Sequence, residues 1–290
     1  MRTSVIVGVD GSPSATRAAD YAAALAIRHG LSLDVVHVFS WPATYPPLLP
    51  ESVAVRVDPR AVAQQLVDDA VAGVGTRFRG IPLTGRVVDG NAAGALVDAS
   101  RTAAYLVVGH RGVGGFSELL LGSVGVHTTT HARCPVVVVR GDTGDPDAPV
   151  VVGVDGSMPA RAAARYAFAE ARSRGTDLDV VLAWPPARSW SKAIAAAGMP
   201  PHPDAVDPIE VSLGNIVEDF PDVKVRRELR HGDSPPQVLT SVATDLKAGM
   251  IVVGSRGIGG FRGLMMGGTS RALIDHSPCP VMVIPKEAVR

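Results

Sequence analysis

The sequence predicts an α/β protein built from two tandem domains, each a doubly wound, five-stranded parallel sheet with helices on both faces. Three observations predict it. Short apolar runs alternate with stretches of helical periodicity through each half, and such alternation needs crossover connections, which make the strands parallel. Runs such as 136–139 are apolar without polar alternation, as strands buried on both faces are. The chain also repeats itself. A shift of 145 positions lays Val9-Asp10-Gly11-Ser12 on Val154-Asp155-Gly156-Ser157, Gly109 on Gly254, and Cys134-Pro135 on Cys279-Pro280. The domains are expected at 1–140 and 149–290, joined by a linker at 141–148 that is rich in Gly, Pro and Asp and lacks apolar periodicity.

In order, residues 4–9 form a short buried strand, and Ser12-Pro13 supplies an N-cap and a proline for the first helical turn. Ala18, Tyr21, Ala22, Leu25 and Ala26 then recur at helical spacing as far as Gly30. A second strand spans 33–38, and a polar, proline-rich loop spans 41–59. There follow a helix at 60–77, a strand at 83–88, a helix at 92–101, a strand at 104–108, a helix from near Ser123 and a last strand at 135–139. The second half repeats this with strands at 150–154, 178–183, 223–229 and 250–253 and helices at 160–174, 208–220 and 235–246. Its long loop, 184–207, is rich in Pro and Ala.

Composition narrows the function. Of 290 residues 46% are hydrophobic, enough for two cores, and 28 Lys plus Arg balance 28 Asp plus Glu, so the charge points neither to nucleic acid nor to an acidic membrane. Two cysteines, each just before a proline and an apolar strand and away from any C-x-x-C, read as buried thiols. No basic-then-apolar leader opens the sequence, and no apolar run approaches the roughly 18 residues of a membrane span, so a cytoplasmic protein is expected.

The chemistry concentrates at 107–125. An apolar strand stops at Gly109, a loop carries Gly112, Gly114 and Gly115, and a helix begins near Gly122-Ser123. Glycines let backbone N–H groups approach a ligand and turn inward, and the free N–H groups of the following helix face the same point, which is the layout of a phosphate site. The second half carries the same elements as Gly254, Gly257, Gly259, Gly260 and Gly267, but places Gly268 where Ser123 stands, followed by Thr269. Ser123 could bond a phosphate oxygen or cap the helix. Asp10 and Asp155, at strand ends, could receive hydrogen bonds from a nucleotide or reach a phosphate-bound magnesium ion, or could form Asx turns. Arg111 and Arg256, matched in the two loops, could pair with phosphate, although loop arginines are more often solvated. His127 and His131 stand four apart on a helix, a spacing able to hold a metal, but without the glutamate of a metalloprotease they read as a surface pair.

The spacing Gly109-x2-Gly112-x9-Gly122-Ser123, with the Val-Asp-Gly-Ser that begins each half, resembles the universal stress protein family in its tandem, ATP-binding form. The resemblance covers almost the whole chain. It implies a Rossmann-like fold related to the adenine nucleotide α-hydrolases, and ATP as ligand, with magnesium carried only by the nucleotide. By the same alignment it places Gly8, Val9, Asp10, Val38, Val108 and Val124 in the first pocket, with Gly153, Val154, Asp155, Ala183 and Val253 as their counterparts. It implies pairing of the two halves through their last strands inside one chain, and a homodimer of chains. A stress-response regulator is therefore expected, without nucleic-acid or membrane partners. The alternatives are a slow ATPase or phosphotransfer enzyme, and a nucleotide-free scaffold suggested by Gly268. No Gly-Lys-Ser or Gly-Lys-Thr Walker sequence, Gly-x-Gly-x-x-Gly or Gly-x-Ser-x-Gly is present, and no residue stands out as a base for attacking water, so a binding role is expected over catalysis.

Overall fold

The computed structural model describes residues 3–40, 58–113, 122–143, 145, 147–184, 208–232, 234–257 and 266–289. The first half runs β1 (Ser4–Gly8), α1 (Pro13–His29), β2 (Ser32–Phe39), α2 (Pro59–Arg77), β3 (Leu83–Asp89), α3 (Ala92–Ala99), β4 (Tyr105–Gly109), α4 (Ser123–His131) and β5 (Val136–Val139). The second runs β6 (Val150–Val154), α5 (Met158–Arg174), β7 (Leu178–Trp184), α6 (Pro208–Leu213), α7 (Ile216–Asp219), β8 (Val225–His231), α8 (Pro235–Asp245), β9 (Met250–Gly254), α9 (Gly268–His276) and β10 (Val281–Ile284).

Local chemistry sets these boundaries. Helix α1 starts because the Ser12 hydroxyl accepts from Ala15 N–H and Pro13 presets the first turn, and it stops at Gly30, whose φ of 62° is left-handed. Ser157, proline in the first turn and Gly175 do the same for α5. The single helix expected over 208–220 is two short ones, because Gly214 adopts a φ of 48° and breaks the run between α6 and α7. A short 3-10 turn, Lys286–Val289, follows β10 and has no counterpart in the sequence pattern.

Strand order is β3-β2-β1-β4-β5-β10-β9-β6-β7-β8, one continuous ten-stranded sheet. Pairing is parallel within each half, as expected. At the centre β5 and β10 pair antiparallel, with Val281 opposite Val138, Met282 opposite Val137 and Val283 opposite Val136. The two last strands thus cover each other's edges, and all eight of their residues are buried. Both apolar layers, one under α1 and α5 and the other under α4 and α9, draw residues from both halves.

Polar contacts also cross the junction. Glu170 of α5 is fully buried and accepts from Arg28 (3.1 Å) and His29 (2.9 Å) of α1 and from Arg174 (2.7 Å) of its own helix. Arg174 in turn donates to Tyr21 Oη at 2.8 Å. On the opposite face Arg140 donates to the carbonyl of Ile274 at 2.7 Å, and Arg133 pairs with Glu287 at 3.2 Å.

Candidate functional site

In the first half the chain leaves β1 toward β2 and β3 on one side and later returns to β4 and β5 on the other, so strand order reverses between β1 and β4. Strands that part there leave a crevice at their carboxyl ends. A cleft of about 340 Å³ opens at that point, at the small end of ordinary ligand pockets.

Of the residues singled out from the sequence, Gly8, Val9, Asp10 and Val38 line the cleft from the β1 and β2 side. Val108, Gly109, Arg111 and Gly112 line it from β4 and its loop, and Gly122, Ser123 and Val124 from the start of α4. Gly114 and Gly115 lie outside the described residues. Ala15, Val36, His37, Ala92, Leu96 and Gly125 also line the cleft and escaped the sequence reading. Leu96 has a legible cause: a Cβ on Gly8 would come within 2.9 Å of Leu96 Cδ1, so the bare Gly8 lets α3 close over the strand ends.

Asp10 organises the loop. Its Oδ1 accepts from Ser12 N–H at 3.0 Å, an Asx turn made possible by Gly11 at φ 83°, and its Oδ2 accepts from Val113 N–H at 2.8 Å. A Cβ on Gly112 would overlap Oδ2 of Asp10, so glycine is favoured where the loop crosses this carboxylate. Both carboxylate oxygens therefore hold backbone, which makes Asp10 the tether of the glycine loop.

Gly109 is glycine for another reason than approach to phosphate. A Cβ there would lie 2.6 Å from Ser14 Oγ and 2.9 Å from the Ser14 backbone, so this position lets the first turn of α1 pack on the end of β4. Ser14 Oγ also meets His110 Nδ1 at 3.0 Å and receives Arg111 N–H at 3.4 Å, fixing the first loop residues on α1. Burial, then the nearby Arg140 and Arg17, hold the His110 imidazole below its usual pKa, so it stays neutral at physiological pH. The loop closes where Gly122 N–H donates to the carbonyl of His110 at 3.1 Å.

Helix α4 then begins with Gly122 as N-cap, a residue with no side chain to cap the first-turn N–H groups. Ser123 is exposed at the first helical position. The first-turn N–H groups, with no side-chain cap among the described residues, and the positive end of the helix thus face the cleft, a site suited to phosphate oxygens.

The second half rebuilds the same corner. Asp155 Oδ1 accepts from Ser157 N–H at 3.0 Å, and Gly257 crosses against Asp155 Oδ2 as Gly112 does against Asp10. Gly254 packs on Pro159, Gly153 on Leu239, and Gly267 caps α9 with its N–H on Ser255 O at 2.9 Å. Val154 and Val253 are buried at the ends of β6 and β9, Ala183 is half-buried, and Arg256 is exposed. Gly259 and Gly260 lie outside the described residues. Two differences stand out. Ser212 of α6 receives Gly156 N–H at 3.0 Å, and Gly268 brings no hydroxyl to the start of α9, where Thr269 is half-buried and Ser270 donates to Gly254 O at 2.7 Å.

His127 and His131 lie with ring centroids 4.6 Å apart and their planes tilted by 46°. Among the described residues no group of three His, Cys, Asp or Glu side chains could hold a metal ion. No helix among them is long and apolar enough to cross a membrane.

The universal stress protein family profile matches residues 1–140 and 148–285. A universal stress protein of Mycolicibacterium smegmatis is 31% identical over 97% of this chain and 96% of its own. One from Mycobacterium tuberculosis is 34% identical over 96% of each. The crystal structure of a universal stress protein from Archaeoglobus fulgidus superposes with a TM-score of 0.72 at 19% identity, covering 98% of this chain and 97% of that one, a likeness of fold. A glycine loop laced to an Asp-Gly-Ser corner, built twice in one sheet and matched by relatives along nearly their whole length, identifies the chain as a two-domain member of the universal stress protein family.

Proposed function

We propose that the chain binds ATP in the first-half cleft and acts as a nucleotide-dependent regulator in a stress response, without being a dedicated catalyst. One observation carries the reading: at the strand-order reversal, a loop glycine whose Cβ would overlap Asp10 and a helix start without a side-chain cap converge on one cleft. The phosphates would lie on the first-turn N–H groups of α4, with the Ser123 hydroxyl and Arg111 at hand. The nucleoside would lie over Val9, Val38 and Val108, whose apolar side chains suit a base. Magnesium would arrive on the phosphates, with Asp10 held in place by a backbone N–H on each oxygen.

The bound nucleotide supplies charge and shape to a surface that a partner reads; the residues of this chain bind and orient it. His110, at the start of the loop, holds Ser14 through Nδ1 and is not among the described residues that line the cleft, which speaks for binding over hydrolysis. The second half would be the weaker site on this reading, because Gly268 replaces the hydroxyl. Two chains would associate in the cytoplasm as a homodimer through a surface other than the β5–β10 junction, which is already paired within the chain.

The test is mass analysis of ligand released on denaturing the freshly purified protein, with calorimetric titration of ATP. ATP binding tightest at the first site, and weakened there by Gly112→Ala, is expected. No ATP binding, or binding at the second half alone, would overturn the proposal, and ADP accumulating well above a Gly112→Ala control would return the enzyme reading.

A further inference from the structure

His37 stands near the end of β2 and lines the first cleft. Its ring Nδ1 lies 2.8 Å from the carbonyl oxygen of Val9. A carbonyl only accepts, so Nδ1 carries the proton, and a neutral His37 keeps Nε2 as a bare acceptor. Among the described residues no group hydrogen-bonds that nitrogen.

The second half answers differently. Val36 pairs with Gly8 as Val181 pairs with Gly153, so the position after it, His37, corresponds to Leu182. Leu182 is buried in the apolar layer. The aspartate, the turn and the loop glycines of this corner are duplicated, yet the polar ring becomes a hydrocarbon.

Position in the sheet says which part of a nucleotide would meet His37. The order β2-β1-β4 puts it two strands from the glycine loop, roughly 10 Å away at the usual strand spacing. A ligand whose phosphates rest on α4 would extend its nucleoside across β1 toward β2.

We propose that His37 is the residue through which the first cleft reads the nucleoside, its Nε2 accepting a hydrogen bond from an N–H or O–H donor that the second half, with Leu182, does not recognise. This rests on the nucleotide-binding reading above. Two donors of an adenine nucleotide fit that chemistry, the exocyclic amino group of the base and a ribose hydroxyl. The two halves of the chain then differ in ligand selectivity as well as in phosphate grip.

The experiment titrates the intact chain by calorimetry with ATP, with 2′-deoxy-ATP, and with purine riboside triphosphate, which lacks the amino group. The parent is compared with His37→Leu and His37→Gln, reading the site that Gly112→Ala weakens. The parent should bind ATP about tenfold more tightly than one of the two analogues, the usual effect of removing a single hydrogen bond, and the analogue that suffers identifies the donor. That ratio should fall to about one in His37→Leu. It should return in His37→Gln, whose amide can donate to Val9 O while its oxygen accepts from the ligand. A purely structural histidine predicts that His37→Leu weakens all three ligands alike with ratios unchanged, and that result overturns the inference. So does a parent with equal affinity for all three. A parent that binds no ATP overturns the nucleotide reading itself, a failure seen before any ratio is compared.

Discussion

Replacing Glu170 by Gln should cost the protein about 3 kcal/mol of stability at neutral pH, a figure that follows from the buried ion cluster between α1 and α5. Burial alone pushes the Glu170 carboxyl up. The His29 hydrogen bond and the charges of Arg174 and Arg28 outweigh that and bring it to about 2, against 4.5 for an ordinary glutamate. A shift of that size corresponds to about 3 kcal/mol of preference for the charged, folded state. Gln keeps the shape but removes the charge, leaving two arginines facing a neutral amide, and breaking a buried pair in this way costs about 3–5 kcal/mol in other proteins.

The sign of the pH dependence is fixed by the direction of the shift. A depressed folded-state pKa stabilises above the unfolded value, so the gap between parent and variant should be full above about pH 4.5 and close as pH falls toward 2. Denaturant unfolding of both proteins between pH 7 and pH 2.5 measures it. A variant within 1 kcal/mol of the parent at pH 7, on the scale of ordinary surface changes, or a gap that does not narrow in acid, would refute the reasoning.

The glycines of the first loop should separate into two classes. Gly112→Ala, whose Cβ meets the Asp10 carboxylate, should lower ATP affinity at least tenfold by calorimetry with little loss of stability. Gly109→Ala, whose Cβ lies 2.9 Å from the Ser14 backbone, should instead cost about 1–3 kcal/mol in denaturant unfolding as α1 is pushed off β4. Asp10→Asn can accept one of the two backbone N–H bonds but not both, so it should weaken ATP binding at the first site about tenfold while leaving far-ultraviolet circular dichroism unchanged. Burial pushes the Cys279 thiol up to about 11 and Cys134 is equally enclosed, so neither should react with a thiol reagent until the protein unfolds. Separated halves, 1–140 and 149–290, should self-associate in light scattering, since each would bare the apolar strand that now pairs across the junction.

Much of the fold is legible in the sequence because its signals are local. Ser12-Pro13 and Ser157 with Pro159 in the first turn announce α1 and α5, and Gly30 and Gly175 end them, since capping and left-handed turns depend on a few adjacent residues. The glycine spacing points to the first cleft, and the described members of that set converge there. The break at Gly214 is hidden because a lone glycine in a helical pattern is tolerated as often as it interrupts, and only its φ reveals which.

Tertiary partners cannot be read so directly, and here the chemistry changes with the structure. Asp10 and Gly112 stand a hundred residues apart, so nothing in the pattern says that the glycine exists to clear the carboxylate. With that contact in view, Asp10 is the clasp of the glycine loop. Glu170 has no repeat partner either: the equivalent position on α1 is Leu25, and a buried charge facing Arg28 and His29 is needed once, where the two halves meet, rather than once in each. The duplicated positions therefore record what each half needs to fold around a loop. The unduplicated ones, Glu170, Ser123 against Gly268, and His37 against Leu182, mark where the halves differ, one joining the domains and two lining the first cleft.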